Sequence, residues 1–144
     1  MTGIVLTTDL SPESQRAFAP TMALARLLGK QVTLLAVVED LAFEVVASGG
    51  LMTTYPDRAQ LVHDFERRLA ELAATVGKDV RWQVIEGHDI AIQIVEFASG
   101  AKADFISMAS HGRRGIRRML LGSVVEDVLR RSHIPVIVFP PPVS

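Results

Sequence analysis

Sixteen residues in the last third of the chain, Met108-Ala-Ser-His-Gly-Arg-Arg-Gly-Ile-Arg-Arg-Met-Leu-Leu-Gly-Ser123, combine the residue types needed to hold an anion. Gly112, Gly115 and Gly122 let the backbone approach a ligand with no Cβ in the way. Arg113, Arg114, Arg117 and Arg118 supply positive charge within six positions. Arg113, next to Gly112, is the best placed for contact, whereas Arg117 and Arg118 read as surface charge. From Gly122 onward, Val124, Val125, Val128 and Leu129 recur at helical spacing, and Ser123 has the side chain of an N-cap. A helix opening there directs free N–H groups and the positive end of its dipole into the same space. The chemistry indicated is a phosphate site. The competing reading is a solvated basic turn ahead of a capped helix.

Other chemistries find less support. His111 has no acid or nucleophile placed by sequence to form a triad with it, so its expected role is to orient the loop. His63, His88 and His133 are scattered without metal-ligand spacing. The absence of cysteine removes disulfides, thiolate catalysis and Cys-ligated metals. Ser48-Gly49-Gly50 does not follow the first strand and is not read as a pyrophosphate loop. There is no Gly-x-x-x-x-Gly-Lys-Ser/Thr sequence, which excludes a Walker-type ATPase. No residue stands out as a general base, so a binding module is favoured over an enzyme.

With 144 residues, of which 49% are apolar, the chain is long and apolar enough for one domain with its own core. The 15 basic residues nearly balance the 16 acidic ones, which argues against general binding of nucleic acid or anionic membranes. No apolar run approaches the length of a membrane span. A strand pattern begins within three residues of Met1 and leaves no room for a signal peptide, so a cytoplasmic protein is expected.

The elements that must position the loop alternate. Ile4 to Thr8 reads as a strand ending in polar groups at Asp9. Ser11-Pro-Glu-Ser14 opens a helix with an N-cap and proline at the first helical position. That helix carries Ala17, Phe18, Thr21, Met22, Leu24, Ala25 and Leu28 on its buried side, with Gly29 as its stop and a kink expected at Pro20. Gln31 to Val38 is a near-continuous apolar strand, as for one covered on both faces. Residues 40–57 read as a flexible excursion, with a lid or partner surface as the alternative and a helical turn possible at 42–47. Asp57 to Val76 is a second helix with Leu61, Phe65, Leu69, Leu72 and Val76 on one face. Val80 to Ile85 alternates like an edge strand. Gly87-His-Asp89 leads into a third helix burying Ile90, Ile94, Phe97 and Ala98 and ending at Gly100. Phe105 to Ala109 is the fourth strand, Ser123 to Arg131 the fourth helix and Pro135 to Phe139 the last strand. Five strands alternating with four helices predict an α/β domain, a parallel sheet with helices on both faces. A ligand then belongs at the carboxyl ends of the strands, at the topological switch point. If that point lies between strands one and four, Thr7 to Asp9 face the Met108 to Ser123 stretch. Asp9 is there either a ligand contact or merely the cap of the Ser11 turn.

Three segments together resemble the universal stress protein family: Ile4-Val-Leu-Thr-Thr-Asp-Leu-Ser11, the Gln31 to Glu39 strand, and Ala103-Asp-Phe-Ile-Ser-Met-Ala-Ser-His-Gly112 with Leu120-Leu-Gly-Ser-Val-Val-Glu-Asp-Val-Leu129 and Ile134-Pro-Val-Ile-Val138. The ATP-binding members carry Gly, two residues, Gly, nine residues, Gly, then Ser or Thr. Here that frame reads Ala109, Ser110-His111, Gly112, nine residues to Leu121, then Gly122-Ser123. The spacing is kept, and alanine in place of the first glycine adds a methyl where backbone would meet ligand. The resemblance implies a Rossmann-like, adenine nucleotide alpha hydrolase-type fold with strand order 3-2-1-4-5 over residues 1–144. It implies ATP, with Mg2+ held chiefly by the phosphates, as the cofactor. Thr7 should lie near the base, where the family often has proline. Asp9 should meet the ribose, Val37 the adenine, and Gly112, Arg113, Gly122, Ser123 and Val124 the phosphates. Thr8, Met108, Ala109 and His111 complete the implied site. The resemblance also implies a homodimer through strand 135–139 and a regulatory, stress-response role. The substitutions at Ala109 and Thr7 motivate a second reading, a nucleotide-free interaction protein of the same fold whose partner meets the 40–57 loop or the dimer surface. A slow ATP hydrolase is the least favoured.

Overall fold

The structure, a computed structural model, describes residues 3–39, 58–110 and 122–142. The 40–57 excursion, Asp57 and the loop residues His111, Gly112 and Arg113 lie outside the described residues.

Strand β1 (Gly3–Thr7) occupies the middle of a five-stranded sheet of order β3-β2-β1-β4-β5, with β2 (Gln31–Glu39), β3 (Arg81–Gly87), β4 (Phe105–Ala109) and β5 (Val136–Phe139). Every pairing is parallel. β1 sits in register with β2 from Gly3↔Gln31 to Thr7↔Leu35 and with β4 from Ile4↔Phe105 to Leu6↔Ser107. Its residues Ile4, Val5 and Leu6 are at most 2% exposed, as a central strand covered on both faces requires. β3 is the edge strand anticipated from its alternation. Its first three residues, Arg81, Trp82 and Gln83, are exposed.

Alternation along the strands sends side chains to two cores. Ile4, Leu6, Val32, Leu34, Ala36 and Ala109 pack against α1 (Phe18–Leu28) and α2 (Arg58–Val76) through Phe18, Ala25, Leu69 and Ala73. Val5, Leu35, Ile106 and Met108 pack on the opposite face against α3 (Ile90–Gly100) and α4 (Ser123–Arg131) through Ala91, Ile94, Ala98, Val125 and Val128.

The first helical region differs from the single kinked helix expected. Residues Glu13–Ala17 form a 3₁₀ turn, and α1 begins at Phe18. Pro20 therefore falls in the first turn of α1, where backbone N–H groups have no intrahelical acceptor, and its missing donor removes no helical hydrogen bond. Gly29 ends α1 at φ 64, as expected of a left-handed cap. Leu28, placed on the buried face by the pattern, stands in the final turn and is 44% exposed. Leu129 is likewise 41% exposed, because it lies about 100° around the helix from the buried Val128. Gly100 is the last residue of α3, and the left-handed position falls later, at Lys102 with φ 53.

One polar contact ties a helix to the sheet within the α1 side. The Thr21 and Ser107 hydroxyls, 1% and 0% exposed, lie 2.6 Å apart. Removing one leaves the other buried without its partner, at a cost of about 1–3 kcal/mol, whereas removing both avoids that penalty. Thr21→Val should therefore lower the unfolding free energy in urea by about 1–3 kcal/mol. The double variant Thr21→Val/Ser107→Ala should lose less than the two single losses combined.

Candidate functional site

From β1 the sheet grows through β2 to β3 on one side and through β4 to β5 on the other. The topological switch point therefore lies between β1 and β4, and in sheets of this order a ligand crevice is expected there, at the carboxyl ends of the strands. Thr7, in register with Leu35, belongs with Val5 on the α3–α4 face. Met108 and the half-buried Val37 lie on that same face, within the second core cluster. These three side chains, on adjacent strands, form a mostly apolar wall. The Thr7 hydroxyl makes no hydrogen bond among the described residues.

A tight turn aims the next residues. The Thr8 hydroxyl accepts the Leu10 N–H at 3.0 Å and lies 2.6 Å from the Ser14 hydroxyl, while the Thr8 N–H donates to the Leu35 carbonyl at 2.9 Å. Leu10 adopts φ 70, a left-handed conformation unfavourable for a residue with a Cβ by roughly 1–2 kcal/mol. Its side chain nevertheless returns to the α1-side core, 8% exposed. Asp9 stays exposed at the crevice, and its Oδ1 accepts the Ser11 N–H at 2.9 Å and the Ser11 hydroxyl. The capping role anticipated for Asp9 is realised. Thr8 is occupied in shaping the turn.

On the other wall, α4 starts beside the second core, where Val124 packs. Ser123 is not its N-cap: Gly122 holds that position at φ −53, ψ 158, and no side chain caps the helix. Ser123 is instead the first helical residue and exposed. The first turn closes with the Glu126 N–H on the Gly122 carbonyl at 3.0 Å. The preceding helical N–H groups, those of Ser123, Val124 and Val125, have no intrahelical acceptor. Ala109 departs from the expectation that its methyl would stand where backbone meets ligand. It is 7% exposed and packs in the α1-side core, on the face opposite Met108.

Arg16 joins the site without having been marked by any motif. Its Nη2 donates to the Ser110 carbonyl at 2.7 Å across 94 positions, and its Nε is buried without a partner among the described residues. Ser110 is 2% exposed, and its N–H donates to the Phe139 carbonyl at 3.0 Å. Among the described residues there is no group of three His, Cys, Asp or Glu side chains that could hold a metal ion. No helix described is long and apolar enough to cross a membrane.

Residues 1–140 match the family model described as Universal stress protein family. Universal stress protein MJ0531 of Methanocaldococcus jannaschii is 40% identical over 76 residues, which span 53% of this chain and 44% of that relative. Universal stress protein MJ0577 of the same organism is 28% identical over 149 residues, covering 94% of this chain and 92% of the relative. A solved structure of MJ0577 superposes with a TM-score of 0.70 at 27% identity, covering 99% of this chain and 98% of that one. The universal stress protein from Archaeoglobus fulgidus in complex with dAMP gives a TM-score of 0.68 at 20% identity, covering 96% and 97% of the two chains.

The turn after β1 generates a prediction that separates its two threonines. Thr8→Val removes the acceptor of Leu10 and should destabilise the protein by about 1–3 kcal/mol in chemical denaturation. Thr7→Val, which gives up no hydrogen bond among the described residues, should change stability by less than about 0.5 kcal/mol.

Proposed function

The chain belongs to the universal stress protein family, and from that premise we propose that it binds an adenine nucleotide, ATP, in the crevice between β1 and β4. In this reading it serves as a dimeric regulatory module of the cytoplasm. The observation that carries the reading is the convergence, at one switch point, of an apolar wall, an exposed carboxylate and an uncapped helix start. Each suits one part of the ligand. Val37, Thr7 and Met108 offer a surface for a flat base, with one hydroxyl to hydrogen-bond it. Asp9 offers a carboxylate for ribose hydroxyls. The start of α4 at Gly122, Ser123 and Val124 offers N–H donors for phosphate oxygens. His111, Gly112 and Arg113 complete the phosphate side by their place in the motif. Ala109 is compatible with this, since its methyl fills core and does not occupy the crevice. The dAMP complex of the Archaeoglobus fulgidus protein supports an adenine ligand in this fold. The spacing from Ala109 through Gly112 to Gly122-Ser123, kept as in the family's ATP-binding members, supports ATP as that ligand. Mg2+ would be held chiefly by its phosphates.

The proposed effect of the ligand is a change of state or partners. Such a change requires the ligand to bind one folded state more tightly than another, and a hundredfold difference in affinity would shift their balance by about 2.7 kcal/mol. The proposed dimer runs through β5. Val136 to Phe139 are each half-buried, and β5 pairs within the chain only with β4 among the described residues. Pairing across a two-fold axis would cover that open edge.

Two experiments test these claims. Isothermal titration of the nucleotide-stripped protein should give a micromolar or lower Kd for ATP-Mg. The variant Gly122→Val/Ser123→Leu should weaken it at least a hundredfold while retaining its circular dichroism, because the φ of −53 at Gly122 is open to any residue. Undiminished binding by that variant would refute the site. For the dimer, Ile137→Glu puts a charge into the proposed interface and should shift sedimentation from dimer to monomer. A dimer unchanged by it would remove β5 as the interface.

A further inference from the structure

We infer that Arg16 is a positioning residue of the nucleotide crevice, acting through the backbone of Ser110; the inference rests on the nucleotide-binding reading above. Ser110 is the first residue beyond β4, where the chain leaves the sheet for the glycine- and arginine-rich stretch. Its peptide groups are gripped from two sides. β5 takes the N–H through the Phe139 carbonyl, and Arg16 donates to the carbonyl from the 3₁₀ turn. At 2% exposure this residue has little access to water, so without Arg16 its carbonyl would be a buried acceptor lacking a protein donor among the described residues.

The choice of a guanidinium for this task is informative. A neutral hydroxyl or amide could satisfy one carbonyl without the desolvation cost of a cation. Arg16 is half-buried, no carboxylate pairs with it among the described residues, and its Nε is buried with no partner there. A planar fork with one arm on Ser110 holds both the distance and the direction of the bond. It thereby fixes the Ser110 peptide, two positions before Gly112 of the phosphate motif in the proposed reading. Of the base-facing residues, Val37 and Thr7 belong to β2 and β1, and Met108 is held inside the β4–β5 ladder in register with Val138, ahead of the carbonyl that Arg16 takes. Arg16 should therefore govern affinity for phosphates and leave affinity for the nucleoside alone.

The test is titration calorimetry of ATP and of adenosine with wild type, Arg16→Met and Arg16→Lys, each stripped of nucleotide. Arg16→Met should lose about tenfold in ATP affinity and less than twofold in adenosine affinity. Arg16→Lys, which keeps a donor and the charge but not the fork, should fall between wild type and Arg16→Met for ATP. If Arg16→Met does not fold, Arg16→Lys alone must still lose more for ATP than for adenosine. Hydrogen exchange at the Ser110 amide should accelerate in Arg16→Met without ligand present. Equal losses for the two ligands would mark a general structural role and overturn the inference, as would ATP affinity equal to wild type. A wild-type protein that ignores both ligands would overturn the nucleotide reading and this inference together. Wild-type binding with an indifferent Arg16→Met would overturn this inference alone.

Discussion

Everything in this molecule depends on the parallel pairing of its first strand with its fourth. β1 is held on one side by β2, the next strand in sequence, and on the other by β4, about a hundred residues later. That second ladder turns a simple run of strands into a sheet that grows in both directions from its middle. It buries Ile4, Val5 and Leu6 on both faces and brings Thr7 beside the end of β4. The order of the strands reverses at that ladder, which makes the carboxyl ends of β1 and β4 the switch point of the sheet.

The two cores make the crevice asymmetric. The side facing α3 and α4 carries Val37, Thr7 and Met108, while the side facing α1 receives Ala109, Leu10 and the 3₁₀ turn. Residues of the α1 side build and brace the rim: Thr8 shapes the turn, Ser14 lies against it, and Arg16 secures Ser110. The proposed ligand-facing side chains and the residues that brace the turn thus lie on opposite sides of the sheet. Asp9 stands between them, with one carboxylate oxygen committed to Ser11.

Much of this is legible in the sequence because it rests on periodicity. The unbroken apolar run Gln31 to Val38 and the alternation around Trp82 place β2 inside the sheet and β3 at its edge. The spacing of Leu69 or Ile94 reveals helices with one buried face. What escapes depends on geometry without a period. The 3₁₀ turn before Pro20 reads as ordinary helix because its composition is helical. The cap at Gly122 is decided by backbone angles, and the neighbouring serine attracts the assignment by residue type alone. The direction of the Ala109 methyl is in principle readable from strand parity with Phe105 and Ser107, but the motif frame points to the backbone instead. Arg16 leaves no trace, since a side chain bonding a carbonyl 94 positions away produces no pattern along the chain. The segments 40–57 and 111–121, where much of the motif lies, fall outside the described residues.

The place of Trp82 has an optical consequence. It is the only tryptophan, 39% exposed on β3 in register with Leu34, and β2 and β1 separate it from β4. Tryptophan fluorescence of the folded protein, excited beyond the tyrosine band, is therefore light from the sheet edge opposite β5. A ligand over Val37, Thr7 and Met108 would lie on the other face of the sheet and nearer the carboxyl ends of the strands, and a second chain pairing along β5 would lie at the far edge. An unchanged emission spectrum would be silent on either event, and a reporter of the crevice would have to be built into its rim.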